Sequence, residues 1–487
     1  MASSVERPTA MHAARKPGRR RRLPVRRRAA GLPGTIGVTT LGALLPGSGY
    51  LWTGRKALGW AVLNTFLLVV ALVVWYLPHD LPAALDFAVD RSRLHLVAAA
   101  LGFAFVAWAL VVLTTYTMVR PLQSRPWQRG LSMLFVAALT IGVAAPVAMA
   151  TRYAMVTSDV VATVFQDNET ATVPDDVSEE DPWGGRDRVN VLLLGGDGNV
   201  HRDGVRTDSM ILASIDTQTG KTVLFSLPRN LMYAQFPEDS PLHDIYPDGF
   251  TGEGDDGEWM LNAVYRNIPT LHPGVLGESD NEGADALKQA IAGSTGTRVD
   301  YYLLVNLAGF QEIVDAMGGV TVNINEPVAI GGITDLGVEP DDWLQPGPAQ
   351  HLDGFEALWF SRGRYGSDDY ERMERQRCMI DAIVDKADPF NLIRRYQKLA
   401  DIGKEIVRTD IPSELLPAFI DLAMEMKERR IKSVVFRSSD EFSPGDPDFT
   451  WMQSVVDKAL DPPKKKPGAN AGEAADAKDA CAYDPGP

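Results

Sequence analysis

Two pairs of charged side chains flank apolar segments of the chain, and their types suit phosphate chemistry. Asp197 comes directly after the apolar run Leu192–Gly196, and Asp208 comes directly before another such run. Two carboxylates of this kind are suitable ligands for a hard cation such as Mg²⁺, with Mn²⁺ as an alternative. Arg206 lies two residues before Asp208, Arg229 follows a third apolar run, and guanidinium groups bind phosphate oxygens in bidentate fashion. Asp and Gly are also ordinary turn residues, so each motif alone is weak.

A second motif, residues 361–377 (SRGRYGSDDYERMERQR), concentrates arginine in an otherwise acidic part of the chain. Its residues that suit an anion site are Arg362, Arg364, Asp369, Arg372, Arg375 and Gln376. If the chain is helical from Tyr370, the last three of these share one face, because they are spaced i, i+3 and i+4. A solvated helix with internal salt bridges is the alternative, since Glu371 and Glu374 are interleaved. The excess of arginine favours a local phosphate pocket.

Apolar runs that alternate with helical patterns predict the elements that position these residues. Strands are expected at Val189–Asp197, Ser209–Asp216, Thr222–Pro228, Tyr301–Asn306, Gly318–Ile324 and Ile431–Phe436. Helices are expected at Ala308–Met317, Gly354–Trp359, Tyr370–Ala387 and Pro412–Arg430. Such alternation is typical of an α/β fold, so we predict an α/β/α sandwich with a mixed sheet. Open α/β sheets bind ligands beyond the carboxyl ends of their strands, which is where Asp197 lies.

Charge divides the chain into two parts. Residues 1–150 hold 17 Lys and Arg against 4 Asp and Glu, whereas residues 151–487 hold 31 against 59. With 45% hydrophobic and 23% charged residues, the composition is in the globular range and excludes a wholly disordered or collagen-like chain. The basic arm at residues 1–35 is by itself compatible with nucleic-acid binding. The apolar segments that follow it disfavour that function, and no nucleic-acid partner is expected.

Three apolar stretches of the length that a membrane span needs follow the arm. They cover residues 57–77, 94–119 and 131–150, each about the 20 residues that a helix needs to cross hydrocarbon. The arm and the loop at residues 120–129 are basic, so the positive-inside rule puts both in the cytoplasm. Everything after residue 150 is then expected outside the plasma membrane, in a multi-pass protein.

Residues 36–52 leave this topology open to one alternative. The segment is interrupted by Pro46 and Gly47, so we expect it to be re-entrant or interfacial. A true fourth span would return the acidic part of the chain to the cytoplasm. The expected organisation is a basic arm (1–35), a transmembrane region (36–150), a polar stalk (151–185), a globular catalytic domain (186–460) and a disordered tail (461–487).

The chain has two cysteines, Cys378 and Cys481, which are too few for a zinc site built on thiolates. Outside the cytoplasm both would be in an oxidising compartment, so one interpretation is a disulfide that pins the tail to the predicted helix Tyr370–Ala387. A buried free Cys378 is the other interpretation, because the sequence gives no distance between the two thiols.

A series of motifs over residues 187–387 resembles the LytR-CpsA-Psr family. The motifs, in chain order, are LLLGGD, RTDSMILASID, TVLFSLPRN, LNAVY, DYYLLVN, FQEIVDAMGGVTVNI and SRGRYGSDDYERMERQR. The resemblance implies phosphotransfer outside the plasma membrane of Gram-positive-type cells. The implied reaction moves a glycopolymer from a polyprenyl-pyrophosphate carrier onto peptidoglycan, with Mg²⁺.

The resemblance also implies a role for each candidate residue. Asp197 and Asp208 would hold the metal, and Asp369 would orient the arginines or help to activate the acceptor hydroxyl. The residues implied to bind the pyrophosphate and sugar-phosphate are Arg206, Arg229, Arg362, Arg364, Arg372, Arg375 and Gln376. Elementary chemistry agrees, because positioned arginines and Mg²⁺ stabilise the charge that develops on a leaving phosphate.

This sequence departs from the family pattern at two positions near the motifs. Asn230 stands where the family commonly has Asp, and Glu371 stands where a glycine is usual. We expect Asn230 to affect rate or acceptor preference more than the type of reaction. Two other functions remain open: hydrolysis of the carrier pyrophosphate, with water replacing the sugar hydroxyl, and a non-catalytic envelope regulator that binds lipid-linked precursors.

Overall fold

The computed structural model describes residues 27–76, 91–164, 170–196, 207–386, 407–427, 429, 431–461, 475–476 and 481–484. Two of the residues predicted to do chemistry, Asp197 and Arg206, lie outside these ranges. The chain divides into two compact units, one formed by residues 1–77 and 100–149 and the other by residues 78–99 and 150–487.

The first unit is built from apolar helices. It contains α1 (Leu32–Leu44), α2 (Ser48–Trp52), α3 (Lys56–Tyr76) and most of α4 (Arg91–Val119) and α5 (Pro126–Val164). Helices α3, α4 and α5 are long and apolar enough to cross a membrane. Large apolar side chains on these helices, such as Phe103 and Leu134, are exposed, as expected for helices that are apolar all round. The three expected spans are confirmed as long apolar helices.

Residues 36–52 form two short helices rather than one span. Helix α1 has 13 residues and α2 has 5, whereas about 20 are needed to cross hydrocarbon. Gly47, between them, has φ 102°, and a Cβ there would lie 2.5 Å from the carbonyl oxygen of Gly59. Only glycine permits this backbone conformation and close approach. The segment therefore contains no helix of spanning length, and the fourth-span alternative finds no support.

Helix α5 continues past the point where the stalk was expected to begin. The stalk was predicted from residue 151, yet α5 remains helical as far as Val164, the last described residue before position 170. Between Arg152 and Val164 the sequence contains neither Gly nor Pro, so nothing interrupts the backbone hydrogen bonds of the helix. Irregular structure occupies residues 170–187. The change to a polar composition at residue 151 was therefore a poor guide to the end of the helix.

In its described part, the second unit contains strands and helices in alternation. The strands are β1 (Arg188–Gly196), β2 (Thr207–Asp216), β3 (Thr222–Leu227), β4 (Tyr301–Asn306), β5 (Val320–Ile324), β6 (Val328–Ile333), β7 (Val338–Leu344), β8 (Gly347–Leu352), β9 (Val407–Thr409), β10 (Lys432–Val435) and β11 (Ala475–Asp476). The helices are α6 (Pro241–Ile245), α7 (Leu261–Leu271), α8 (Glu282–Thr295), α9 (Leu307–Met317), α10 (Gly354–Arg362), α11 (Asp369–Lys386), α12 (Leu416–Lys427) and α13 (Phe449–Leu460).

Seven strands form a mixed sheet in the order β11-β10-β3-β2-β1-β4-β9. Strand β2 pairs antiparallel with both β1 and β3, so β2 and β3 form a hairpin. Strand β1 pairs parallel with β4, and β3 pairs parallel with β10. The predicted mixed sheet is confirmed.

Helices cover both faces of this sheet. On one face Leu192 and Leu194 pack in a large cluster with α7, α8 and α13. On the other face Val189 and Val191 pack with α12, and Ile211 packs with α11. Full burial of each such side chain contributes about 1.5–3 kcal/mol. The predicted α/β/α sandwich is therefore confirmed, with its core on both sides of β1 and β2.

Two small, two-stranded sheets pack with α10, the helix that enters the arginine-rich motif. Strand β5 pairs with β8 rather than with the main sheet, and β6 pairs with β7. Their buried side chains form one cluster with α9, α10 and α11. The sequence predicted β5 but not β6, β7 or β8.

A buried ion pair connects α8 to the segment after β9. Lys288 Nζ lies 2.7 Å from Asp410 Oδ2, and the two side chains are 1% and 0% exposed. Lys288 also donates to the carbonyl oxygen of Asp300 at 2.8 Å, and Asp410 Oδ1 accepts from the N–H of Tyr302 at 2.7 Å. Burial raises the pKa of Asp410, while Lys288 lowers it. Both charges are thus paired and hydrogen-bonded inside the domain.

A disulfide joins Cys378 on α11 to Cys481, with Cα atoms 5.6 Å apart. The carbonyl oxygen of Cys481 also accepts from Asn323 Nδ2 at 2.9 Å, and β11 pairs with β10. Of the two interpretations of the cysteines, the bridge is the one that forms. These described pieces of the tail, which was expected to be disordered, are attached to the domain because the covalent bond and the backbone pairing hold them.

Candidate functional site

A β-bulge marks the edge of the sheet where Asp208 lies. Gly195 of β1 pairs with Ser209 of β2, and the next residue of β1, Gly196, pairs with Thr207. Asp208 is therefore the extra residue on β2, and bulges of this kind often redirect a side chain next to a functional site. A Cβ at Gly195 would lie 3.1 Å from the Cβ of Ser209, so the two strands approach closely at this point.

The chain neighbours of Asp197 and Arg206 are described, although these two residues are not. Gly196 precedes Asp197 and pairs with Thr207, which follows Arg206. The backbone therefore brings the two ends of the segment 197–206 together beside Asp208. The grouping of these three residues at one edge of the sheet agrees with this backbone, and their side-chain positions stay a prediction.

The two residues predicted to bind a metal ion belong to this part of the sequence. Among the described residues there is no group of three or more His, Cys, Asp or Glu side chains that could hold a metal ion. Of the two predicted ligands, Asp197 lies outside the described ranges and Asp208 is described by its backbone alone. Asp208 is the extra residue of the bulge, and two carboxylates with phosphate oxygens form a donor set that suits Mg²⁺. Magnesium stays a prediction.

Helix α10 leads to the first two arginines of the motif. Its start is fixed by a capping box, in which the side chains of Asp353 and Glu356 accept from each other's backbone N–H groups. Its end is at Arg362, because the N–H of Gly363 closes the last turn on the carbonyl oxygen of Trp359 at 2.8 Å. The loop after this helix therefore leaves the domain core at a defined point.

Arg375 of α11 holds that loop in place. Its Nε donates to the carbonyl oxygen of Phe360 at 2.8 Å, and its Nη2 donates to the carbonyl oxygen of Gly363. Burial lowers the pKa of Arg375, while the nearby carboxylates of Glu371 and Asp368 raise it. An arginine on the last carbonyl groups of a helix stabilises the helix end. Arg375 was predicted to bind pyrophosphate, and these contacts assign it to positioning the loop.

Asp369, the first residue of α11, contacts three guanidinium groups. Its Oδ2 accepts from Arg372 Nη2 at 3.0 Å, and its Oδ1 lies 3.5 Å from Arg229 Nε and 4.0 Å from Arg364 Nε. These four residues, which we name the Asp369 cluster, come from the turn after β3, the loop after α10 and α11 itself. Guanidinium groups gathered at one point bind phosphate oxygens in bidentate fashion, so this cluster is a candidate phosphate site.

The members of the Asp369 cluster differ in their access to solvent. The side chains of Arg229 and Arg364 are 32% and 38% exposed, whereas that of Arg372 is 2% exposed. Arg372 therefore holds Asp369 from inside the domain. Arg229 and Arg364 reach the surface, where they can contact phosphate oxygens.

Arg362 has a different neighbour from Arg364. Its guanidinium lies over the ring of Trp359, 5.0 Å from the centroid, in a cation–π contact one turn from the end of α10. Arg362 and Arg364 were predicted to act at one site because they are two residues apart in the sequence. The structure brings Arg364, Arg229, Arg372 and Asp369 together and places Arg362 on the exposed face of α10.

Gln376 links α11 to the bulge. Its Nε2 donates to Ser209 Oγ at 2.6 Å and to the carbonyl oxygen of Ser361 at 3.2 Å. Because Ser209 follows Asp208, one amide connects the strand that carries Asp208 with the end of α10. Gln376 was predicted to bind pyrophosphate, and these bonds make it a link between elements. Ser209 and Ser361 were missed, although the position of Ser209 beside Asp208 was a usable signal.

Comparisons with known proteins identify relatives of this chain. The TagU protein of Oceanobacillus iheyensis, named polyisoprenyl-teichoic acid–peptidoglycan teichoic acid transferase, is 32% identical over 240 residues, which are 48% of this chain and 62% of that protein. Biofilm regulatory protein A of Streptococcus mutans is 26% identical over 277 residues, 55% of this chain and 59% of that one. The crystal structure of protein gbs0355 from Streptococcus agalactiae has a TM-score of 0.42 at 26% identity, over 60% of this chain and 93% of that one.

The matched region spans less than two thirds of the length of either of those two curated relatives. A family model described as the LytR_cpsA_psr family matches residues 153–463, which include β1, the Asp369 cluster and α13. Since this match covers more than half of the sequence, the chain belongs to the LytR_cpsA_psr family.

Proposed function

We propose that this protein transfers a glycopolymer from a polyprenyl-pyrophosphate carrier onto peptidoglycan. The observation that carries the proposal is the Asp369 cluster, in which three guanidinium groups surround one carboxylate and two of them reach the surface. Such an arrangement suits a substrate with several negatively charged phosphate oxygens. The related TagU protein is named a polyisoprenyl-teichoic acid–peptidoglycan teichoic acid transferase, which supports the same class of reaction.

The proposed step is a single displacement at phosphorus. The oxygen of an acceptor hydroxyl forms a bond to the phosphorus that carries the glycopolymer, the bond from that phosphorus to the bridging oxygen breaks, and polyprenyl phosphate leaves. The proton of the hydroxyl passes to a carboxylate, for which Asp369, Asp197 and Asp208 are the candidates. Arg229 and Arg364 contact the phosphate oxygens and stabilise the charge that develops on the leaving group.

The other predicted residues position or assist Asp369, Arg229 and Arg364. Arg372 holds Asp369, Arg375 holds the loop that carries Arg364, and Gln376 holds α11 against β2. Mg²⁺ bound by Asp197 and Asp208 would neutralise charge on the pyrophosphate oxygens. Arg206, which precedes the bulge in sequence, would add a further guanidinium to the same phosphates.

The proposed location is the outer face of the plasma membrane. Three helices are long and apolar enough to span it, and the basic arm and the loop at residues 120–129 favour the cytoplasm for those segments. The formed Cys378–Cys481 bridge supports an oxidising compartment for the second unit. A lipid-linked donor and peptidoglycan would both be within reach there. A reporter fused after Pro487 tests the orientation, because only a reporter that is active outside the cytoplasm should give a signal.

The reaction can be tested with the full chain in lipid nanodiscs. Lipid-linked oligosaccharide and Mg²⁺ are supplied with and without peptidoglycan, and both linkage of the oligosaccharide to peptidoglycan and release of polyprenyl phosphate are measured. We expect linkage and release to occur together and to require the acceptor. The variant Arg364→Ala should lose both, whereas Arg266→Ala, which removes an arginine paired with Glu258 on the same unit, should retain them.

Other outcomes identify the alternatives. Release of polyprenyl phosphate that is equally fast without acceptor would show a hydrolase, with water as the nucleophile. Absence of both products, together with normal polymer attachment in cells that carry Arg364→Ala, would show a binding or regulatory protein.

A further inference from the structure

The hairpin formed by β6 and β7, residues 328–344, is not used by the mechanism above. Its strands pair antiparallel, from Val328 with Leu344 to Ile333 with Val338. Its sequence contains four carboxylates and no Lys or Arg; the carboxylates are Asp335, Glu339, Asp341 and Asp342. The side chain of Trp343 stays 36% exposed on this hairpin. An exposed indole on an acidic surface points to a ligand rather than to core packing.

The hairpin packs on the loop that follows α10. The rings of Trp343 and Tyr365 meet edge to face, with centroids 6.1 Å apart and an angle of 80° between their planes. Gly332 has φ 78°, and a Cβ there would lie 2.9 Å from Cδ2 of Tyr365. Glycine is therefore required for the hairpin to sit this close to the tyrosine.

Tyr365 connects the hairpin to the Asp369 cluster. It directly follows Arg364 in a turn that is closed by the N–H of Ser367 on the carbonyl oxygen of Arg364, at 2.9 Å. Consecutive Cα atoms are about 3.8 Å apart, so the aromatic pair begins one residue from an arginine of the cluster. A hydrogen bond to Glu339 raises the pKa of Tyr365, which keeps the phenol hydroxyl protonated beside that carboxylate.

We propose that Trp343, Tyr365 and Glu339 form a subsite that binds a sugar ring of a glycan, an inference that rests on the proposed function of the neighbouring arginines. The flat indole packs against the C–H bonds of a pyranose, and the Glu339 carboxylate and the Tyr365 hydroxyl bond its hydroxyl groups. Both aromatic side chains offer this contact at a low cost in conformational entropy.

The charge of the hairpin decides between a sugar and other ligands. Four carboxylates without a compensating base repel a phosphate group and the anionic surface of a membrane. A neutral sugar is not repelled, and carboxylates are frequent acceptors for its hydroxyl groups. The glycan comes either from the donor, as the first sugars attached to the pyrophosphate, or from the peptidoglycan acceptor, and the chemistry of the subsite is the same for both.

The subsite can be tested by titration calorimetry on the full chain in detergent, without any transfer reaction. One probe is a soluble disaccharide-peptide fragment of peptidoglycan, and the other is a phosphate-free oligosaccharide released from the lipid-linked glycopolymer of the same cells. Trp343→Ala should weaken binding of one probe about tenfold, and Trp343→Phe should restore most of it. Leu336→Ala, which removes a side chain that is 73% exposed on the same hairpin, is the matched control and should bind as the unaltered protein does.

The identity of the affected probe assigns the glycan to acceptor or donor. The inference is overturned if the unaltered protein binds neither probe, or if Trp343→Ala binds both probes normally. Should Trp343→Ala prove unfolded in a thermal melt, Glu339→Gln replaces it, since Glu339 is exposed, and should weaken binding about fivefold. Because the titration measures binding alone, a failure of this inference can be distinguished from a failure of the proposed transfer reaction.

Discussion

The Asp369 cluster and the Lys288–Asp410 pair both set basic side chains against aspartate, but they differ in the number of basic side chains that contact the carboxylate and in exposure to solvent. At Asp369, three guanidinium groups lie within 4.0 Å of one carboxylate, and two of those side chains are about one third exposed. At Asp410, a single ammonium group meets a single carboxylate, and both side chains are buried.

This difference separates a binding site from a scaffold. A balanced, buried pair whose hydrogen bonds come from the protein leaves no charge for a ligand, and it costs stability only when one partner is removed. At the Asp369 cluster, Arg229 and Arg364 are accessible to a ligand, and partly exposed ion pairs such as theirs can be changed with smaller effects on folding. We therefore expect substitutions in the two regions to separate stability from activity.

The largest effect is expected at the buried pair. Lys288→Ala leaves the Asp410 carboxylate buried without its cation, which should lower the free energy of unfolding by about 3–5 kcal/mol. The measurement is a denaturant titration of the detergent-solubilised chain, followed by circular dichroism. Transfer activity per folded molecule should be unchanged. A variant that is as stable as the unaltered protein would contradict the scaffold assignment of this pair.

The second-largest effect is expected at the Asp369 cluster, where a substitution should change the rate of transfer. Arg364→Ala should lower the rate of transfer by about 10²–10³-fold, because one preorganised donor to the developing charge is lost. Its free energy of unfolding should change little. Arg364→Lys keeps the charge but loses the planar fork, so it should recover only part of the rate. Equal losses of stability in Arg364→Ala and Lys288→Ala would remove the distinction between the two regions.

A smaller effect is expected where Gln376 joins the elements of the site. Gln376→Ala removes the bonds to Ser209 and Ser361, each worth about 1 kcal/mol, so the loss of about 2 kcal/mol should lower the transfer rate about 30-fold. The matched control is Gln453→Ala, because Gln453 Nε2 donates to the carbonyl oxygen of Gly293 at 3.0 Å on a different helix pair. A control that loses as much rate would mean that Gln376 acts only through general stability.

The smallest effect is expected in the pH dependence of the buried region. Burial raises the pKa of Asp300, so between its unfolded and folded pKa values the folded state binds more protons than the unfolded state. The free energy of unfolding should therefore fall as the pH rises through this interval. Asp300→Asn should flatten that part of the profile while it keeps an oxygen for the N–H of Asn190, which now donates to Oδ2 at 2.8 Å. Parallel profiles for the two proteins would exclude Asp300 as the source.

Local patterns allowed much of the fold to be predicted. Strands β1 to β4 are continuous apolar runs bounded by turn residues, and they were found within two residues of their ends. The hairpin β6–β7 was missed because GGITDLGVEPDDWL is rich in Gly, Pro and acids, which is typical of loops. Its strands form because they pair with each other and rest on the loop after α10, contacts that no local pattern contains.

The sequence predicted most of the residues that form the site, but it did not predict how all of them are arranged. The sequence identified Arg229, Arg364, Asp369 and Arg372, which the structure brings together. It could not separate Arg375 from them, because helical spacing does not show that its guanidinium reaches the backbone of the preceding helix. The Lys288–Asp410 pair was not predicted for a related reason: its partners are 122 residues apart in the sequence.

The Cys378–Cys481 bridge also has a consequence for biogenesis. Because 103 residues separate the two cysteines, Cys378 on α11 is synthesised well before Cys481, to which it will be bonded. Every newly made molecule therefore passes through a stage in which both of its thiols are free, and the chain has no other cysteines. A thiol-reactive reagent should label that early population and leave mature molecules unlabelled.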